Sequence, residues 1–170
     1  MSFSSFRLLS LGTVLLFSQC KRADAPQPLT ATLPPVTQAG LNTIGFRVDG
    51  TVWLPKGSFN FPAYKAHYSG HTFWISSNRL VDGELTSFGI FIRPVAGTGS
   101  YDLQERSGIG AHYSTADDMY NVLQPSAGSV QITRLDSVQR IVAGTFAGTL
   151  VSPTSGKTIN ITEGRFDLSY

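Results

Sequence analysis

One cysteine, Cys20, stands in 170 residues. With no second thiol to pair with it, an internal disulfide is excluded and the fold has to be held by packing. Charge is sparse as well: Asp, Glu, Lys and Arg make up 14% of the chain, which suits short strands joined by turns better than helices with one charged face. From Leu41 onward ten basic residues stand against ten acidic ones, so this part has no net charge and no basic run for a phosphate backbone. Nucleic acid is therefore not an expected partner. Catalytic motifs are missing too. There is no G-x-S-x-G elbow, and Gly97-Thr98-Gly99 lacks the Lys and helix that a phosphate loop needs. No cofactor is expected.

What is present begins at the start of the chain. Arg7, an apolar run from Leu8 to Phe17, and then Ser18-Gln19-Cys20 make a basic start, a short apolar core and a cut site. That is the order of a secretory signal, and the run is too short to span a bilayer. A lone cysteine closing such a signal resembles the lipobox of bacterial lipoproteins, whose thiol is diacylated before cleavage in front of it. The expectation is a signal peptide over residues 1–19, a lipid on Cys20 as the mature N-terminus, and a place in the cell envelope, on the periplasmic side of the outer membrane or at the cell surface. Residues 20–40 carry Pro26, Pro28, Pro34 and Pro35 among small and polar residues. Such a stretch buries too little apolar area to offset its ordering entropy and reads as a tether. A single domain is expected over 41–170.

Within that domain 15 glycines, 8 phenylalanines and 6 tyrosines accompany a period of two, and no window keeps a helical period. Residues 43–48 and 51–54 flank Asp49-Gly50, a pair suited to a type I′ turn, and so form a hairpin. Residues 63–68 and 72–76 alternate as a second pair, and 87–93 set Phe88, Ile90 and Ile92 on one side. Between 95 and 124 only short candidates stand out, at 100–103, 111–114 and 119–122. The end is the clearest part, with long strands over 129–135, 140–151 and 158–170 forming a meander. In the last of them Ile159 and Ile161 have the opposite parity to Phe166, Leu168 and Tyr170, so a β-bulge at Glu163-Gly164 is needed to bury both sets. The fold expected is all-β: an antiparallel β-sandwich or flattened β-barrel with a C-terminal three-strand meander.

Phe46-x-Val48-x-Gly50-x-x-Trp53-x-Pro55 near the start of the domain, with Gly144-Thr145-Phe146 and Ile161-Thr162-x-Gly164-x-Phe166-Asp167 near its end, resemble a family of uncharacterised Bacteroidota lipoproteins. The resemblance implies a lipid-anchored β domain of about this size. Its matching positions are turn and packing residues, so it implies no activity, cofactor or catalytic residue.

The remaining candidates for chemistry are scattered. His67, His71 and His112 would serve zinc only if the fold gathers them, and surface or turn positions are the ordinary alternative. Asp117 and Asp118, with Asp102 and Glu105 near, offer oxygen ligands for calcium without a regular loop signature, against the simpler reading of a solvated acidic loop. Trp53, Trp74, Tyr64, Tyr68, Tyr113 and Tyr120 would stack on sugars wherever they face solvent together, and would otherwise be core. Because loops on a rigid scaffold carry recognition, ligand binding is expected on the irregular segment, at Tyr113, Tyr120, Asp117 and Asp118. Asp136-Ser137-Val138 resembles the D-S/T-aliphatic acceptor for O-glycosylation of exported Bacteroidota proteins, which makes Ser137 a glycosylation candidate beside plain turn chemistry. Three readings follow. The favoured one is a non-catalytic, lipid-anchored module that binds a ligand, glycan or protein. The others are a secreted hydrolase with dispersed residues and a small outer-membrane barrel suggested by the terminal Phe166-x-Leu168-x-Tyr170.

Overall fold

The computed structural model describes residues 31–104, 108–123 and 127–170. Cys20, the signal region, Glu105 and Gln124 lie outside them. Among the described residues all the regular structure is β, in eleven strands: β1 Thr43–Val48, β2 Thr51–Trp53, β3 Tyr64–Ser69, β4 Thr72–Val81, β5 Glu84–Ile92, β6 Gly99–Asp102, β7 Ile109–Ser114, β8 Met119–Asn121, β9 Gly128–Asp136, β10 Ile141–Val151 and β11 Thr158–Ser169. Hairpin turns explain most of the order. Asp49-Gly50 joins β1 to β2 and Asp82-Gly83 joins β4 to β5, each pair with positive φ at both residues, as a two-residue I′ turn demands. Gly70-His71 turns β3 into β4 in the same way.

The strands form one antiparallel sheet in the order β2-β1-β11-β10-β8-β7-β5-β4-β3, with β9 and β6 branching from β10. β10 is long enough to pair with β9 over most of its length and with β8 only at Val151. There the sheet divides and folds back on itself. Phe46 of β1 meets Phe88 of β5 at 4.4 Å between ring centroids, and Phe73 of β4 meets Phe166 of β11 at 5.8 Å. The core thus lies between two layers, β2-β1-β11-β10-β9-β6 and β8-β7-β5-β4-β3, in a sandwich-like arrangement. The sheet does not close into a barrel, which removes the ring of paired strands that the membrane-barrel reading requires. The C-terminal meander β9-β10-β11 is present.

The expected bulge is also there. Pairing of β11 with β10 shifts between Phe146↔Gly164 and Gly148↔Ile161, and with β1 between Gly45↔Arg165 and Arg47↔Thr162. Glu163 takes φ 52° at that point. The extra residue turns Ile159, Ile161, Phe166 and Leu168 all inward, each buried. β4 and β5 run further toward their shared turn than 72–76 and 87–93, because the Asp82-Gly83 turn lets Asn78 to Val81 continue the ladder to Leu85 and Glu84.

The folded unit runs Ala31–Tyr170, so the expected tether to residue 40 is corrected in its last part. Residues 34–40 form a strap across the outer side of β1, β11 and β10. Asp167 accepts hydrogen bonds from Thr37 Oγ1 at 2.6 Å, from Ala39 N at 2.9 Å and from Gly40 N at 2.6 Å. Arg165 donates to the Pro34 carbonyl at 3.3 Å and Arg134 to that of Gln38 at 2.5 Å. The segment has too little apolar surface for a core of its own, but a sheet face that presents a carboxylate and two guanidinium groups satisfies its backbone instead.

Candidate functional site

The second layer has a different outer side. Along β4, Phe73 and Ile75 are buried and Trp74 between them points away from the core; along β5, Ile90 and Ile92 are buried and Phe91 points outward, 42% exposed. Strand register lines these residues up. His67, Trp74, Phe91 and Gly110 form one row across β3, β4, β5 and β7. Lys65, Ser76, Gly89, His112 and Asn121 form the next, which reaches β8. His67 stacks on Trp74 with centroids 5.6 Å apart. The His112 imidazole lies down on the bare backbone of Gly89, where an added Cβ would come within 2.2 Å of its Cε1. Although the residue is exposed at the surface, this crowding desolvates the ring and lowers its pKa. A neutral imidazole has one donor and one acceptor nitrogen.

Beside the aromatic row lies an open groove of about 360 Å³, lined by Phe91, Gln104, Gly110, Ala111, His112, Asn121, Val122 and Leu123. None of these carries a formal charge. The groove therefore offers an aromatic wall, two side-chain amides and an imidazole to whatever enters, and its hydrogen-bonding groups can both donate and accept.

The residues expected to bind are placed elsewhere. Tyr113 is buried in the core at 8% exposure and Tyr120 packs against that core, with ring centroids 6.3 Å apart. The expectation that this pair faces a ligand is thus corrected: β7 and β8 are regular enough to turn alternate residues inward, and the tyrosines have the inward parity. Tyr113→Ala is expected to lower stability by about 2 kcal/mol, the worth of a largely buried side chain, seen as a reduced urea midpoint. An unchanged midpoint would place Tyr113 outside the core.

Asp118 is a structural tie. Its carboxylate accepts from Ser152 Oγ and Ser155 Oγ, each at 2.6 Å, and from the Met119 N–H at 2.9 Å. The serine bonds hold its pKa below the ordinary value. These bonds join the β7–β8 turn to the β10–β11 turn and occupy the oxygens that calcium would need. Asp117 is exposed on that turn, and Asp102 is exposed at the end of β6. His71 sits in the β3–β4 turn with Nδ1 3.3 Å from the Val95 carbonyl, away from the outward positions of His67 and His112. Among the described residues no three of His, Cys, Asp and Glu gather where a metal would sit.

Ser137 is exposed on the β9–β10 turn beside Val138, which is 91% exposed. The turn is held by Asp136, whose Oδ1 accepts from the N–H groups of Val138 and Gln139 at 3.0 and 2.8 Å.

Of the six aromatics weighed for sugar stacking, only Trp74 stands on the outer side. Trp53 and Tyr113 are buried, and Tyr64, Tyr68 and Tyr120 pack against the core. Phe91, Gln104 and Asn121 were not among the expected site residues. The signal for Phe91 was its parity: in Phe88-Gly89-Ile90-Phe91-Ile92 it falls opposite the three apolar residues assigned inward.

No curated protein and no solved structure matched the chain. The family described as a domain of unknown function, DUF6252, matches residues 48–167, from the end of β1 nearly to the end of β11. The chain belongs to the DUF6252 family of domains of unknown function.

Proposed function

We propose that the protein is a non-catalytic binding module, anchored in the cell envelope by a lipid on Cys20, that meets its ligand with the outer side of β3, β4, β5, β7 and β8. The observation that carries the binding role is the outward row His67, Trp74 and Phe91, with Trp74 half-buried and the other two exposed, beside a groove whose described lining residues bear no charge. The inner side of these strands already supplies the core, so packing gives no reason for large aromatics outside. A hydrolase would need a carboxylate beside His112, and the described residues lining the groove include none. Because the folded unit begins at Ala31, only the residues between Cys20 and Thr30 are left as spacer, a reach of roughly 35 Å at most for an extended chain.

Two measurements test this reading. Cys20→Ala is expected to move the protein from the membrane to the soluble fraction, since a lipid group with more than one acyl chain holds firmly. The intact mass of protein from its native host would show the lipid directly, together with any glycan on Ser137. An unmodified Cys20, or cleavage elsewhere, removes the anchor. For binding, a photoreactive benzophenone residue at position 91 is expected to give discrete adducts in cells that the same residue at position 138 does not. Absence of adducts at position 91 would end the binding role of this side.

A further inference from the structure

We propose that the ligand of this outer side is a neutral glycan, whose pyranose rings lie on Trp74 and Phe91 and whose hydroxyls are bonded by His112, Asn121 and Gln104. This rests on the reading of the domain as a binding module and names the chemistry of its ligand.

Three features of the surface select a sugar. The first is the arrangement of apolar and polar groups. An aromatic row lies beside a polar row, one residue pair apart along the strands, so a ligand that covers both needs an apolar face and a polar rim in close succession. A pyranose has both, with C–H groups on its faces and hydroxyls around its edge. A helix or an apolar peptide would instead want continuous apolar surface. The aromatic row from His67 to Phe91 crosses two strand spacings, roughly 10 Å, which is the length of a disaccharide.

The second feature is flatness. Gly110 closes the aromatic row next to Phe91, and Gly89 lies beneath the His112 ring. Neither glycine raises a side chain, so the His112 imidazole lies down on the backbone and nothing at position 110 stands beside the Phe91 ring. A Cβ at position 89 would strike the His112 ring, and the imidazole would have to leave its place.

The third feature is the kind of polar group. Gln104 and Asn121 each present a donor and an acceptor, as does a neutral His112. Hydroxyls also donate and accept, and they match such a set. A phosphate, sulfate or carboxylate needs donors alone, backed by positive charge. Among the described residues that line it, the groove carries no formal charge; Lys65 lies at the far end of the polar row and Arg93 just past the end of β5.

The test is calorimetric titration of the full-length protein, held in a non-glycosidic detergent, with neutral oligosaccharides (cellohexaose, xylohexaose, mannohexaose and laminarihexaose) and with acidic hexagalacturonate. Saturable binding of at least one neutral oligosaccharide is expected. Trp74→Ala and Phe91→Ala should each weaken it about tenfold, the loss of one aromatic stacking contact. Gly89→Ala should weaken it also, although residue 89 touches no ligand, because it displaces His112. Both outward aromatics can be removed without opening the core, so circular dichroism and the urea midpoint should match the wild type for those two variants. Binding of a neutral oligosaccharide that both Trp74→Ala and Phe91→Ala leave unchanged would overturn the site. Tighter binding of hexagalacturonate than of every neutral oligosaccharide would overturn the neutral ligand, and so would binding of none of them. If none binds while position 91 still gives cross-linked adducts in cells, the glycan is wrong and the binding module stands; if neither is seen, both fail.

Discussion

Phe146→Ala is expected to destabilise the domain by about 3 to 5 kcal/mol. That is a large share of the 5 to 15 kcal/mol typical of a domain, so the variant should be partly unfolded near body temperature. The ring sits where the two layers meet. It stacks on Phe88 at 5.0 Å with planes 16° apart, and lies 5.6 Å from Phe46 and 6.3 Å from Phe166. Beneath it is the bare backbone of Gly164, where an added Cβ would fall 2.4 Å from the Phe146 ring. A glycine there lets the ring lie close to the sheet, and the same glycine has no side chain with which to fill the hole once the ring is gone. The rings on the other layer are held by their own strands, so the site collapses poorly and the cavity cost is added to the lost transfer energy. Urea unfolding should show a lower midpoint at unchanged slope, the mark of lost stability without a change in the surface exposed. A midpoint within about 1 kcal/mol of wild type would mean that the core lies elsewhere.

This centre was legible in the sequence because the large apolar residues of one parity along β10, and of the two parity sets in β11, are the ones that form the core. Val142, Phe146 and Leu150 share one parity and are all buried, and the parity conflict in β11 could be resolved only by an inserted residue, which stands at Glu163. The site was less legible, for two physical reasons. Period two tells which residues share a side but not which side is the core, so in short strands such as β7 and β8 the aromatic pair Tyr113 and Tyr120 looked like recognition residues. Their inward orientation follows from the pairing of β7 with β5 and β8, which brings Tyr113 opposite Phe88 and Tyr120; that pairing is long-range and leaves no local trace. The second reason is that a row across a sheet is made of residues far apart in sequence. His67, Trp74, Phe91 and Gly110 become neighbours only through three registers, and each alone is unremarkable. The strap escaped for a related reason. Low apolar content correctly denies residues 31–40 a core of their own, but it says nothing about a partner waiting on the domain.

That partner is Asp167, and Asp167→Asn is expected to cost about 3 kcal/mol, in the range for removing charge-assisted bonds and leaving buried donors without an acceptor. The side chain is 1% exposed. Its neighbours Phe166 and Leu168 point into the core, so Asp167 has the outward parity and is buried by the strap alone. One oxygen accepts from Thr37 Oγ1 and Ala39 N and the other from Gly40 N. An amide keeps one acceptor oxygen and puts an NH₂ group against a donor, so at least one backbone N–H loses its bond. Burial pushes the Asp167 pKa up, but the bonds from Thr37, Ala39, Gly40 and Leu41 outweigh it and hold the carboxyl below its ordinary value. The sign follows from linkage: the native state binds this proton less readily than the unfolded chain, whose carboxyl titrates near pH 4. The stabilisation is therefore complete above about pH 4 and is lost as pH falls through the lower native pKa. Urea unfolding at a series of pH values should show the gap between wild type and Asp167→Asn largest near neutrality and narrowing in acid. Some acid sensitivity should remain in the variant, because Asp118 and Asp136 are also held below their ordinary pKa by hydrogen bonds. Hydrogen exchange separates the strap from the core: the amides of Ala39 and Gly40 should lose protection in the variant, whereas those of β10 should fall only by the global change. A gap that is constant with pH, with those two amides still protected, would mean that the carboxylate is not what holds the strap.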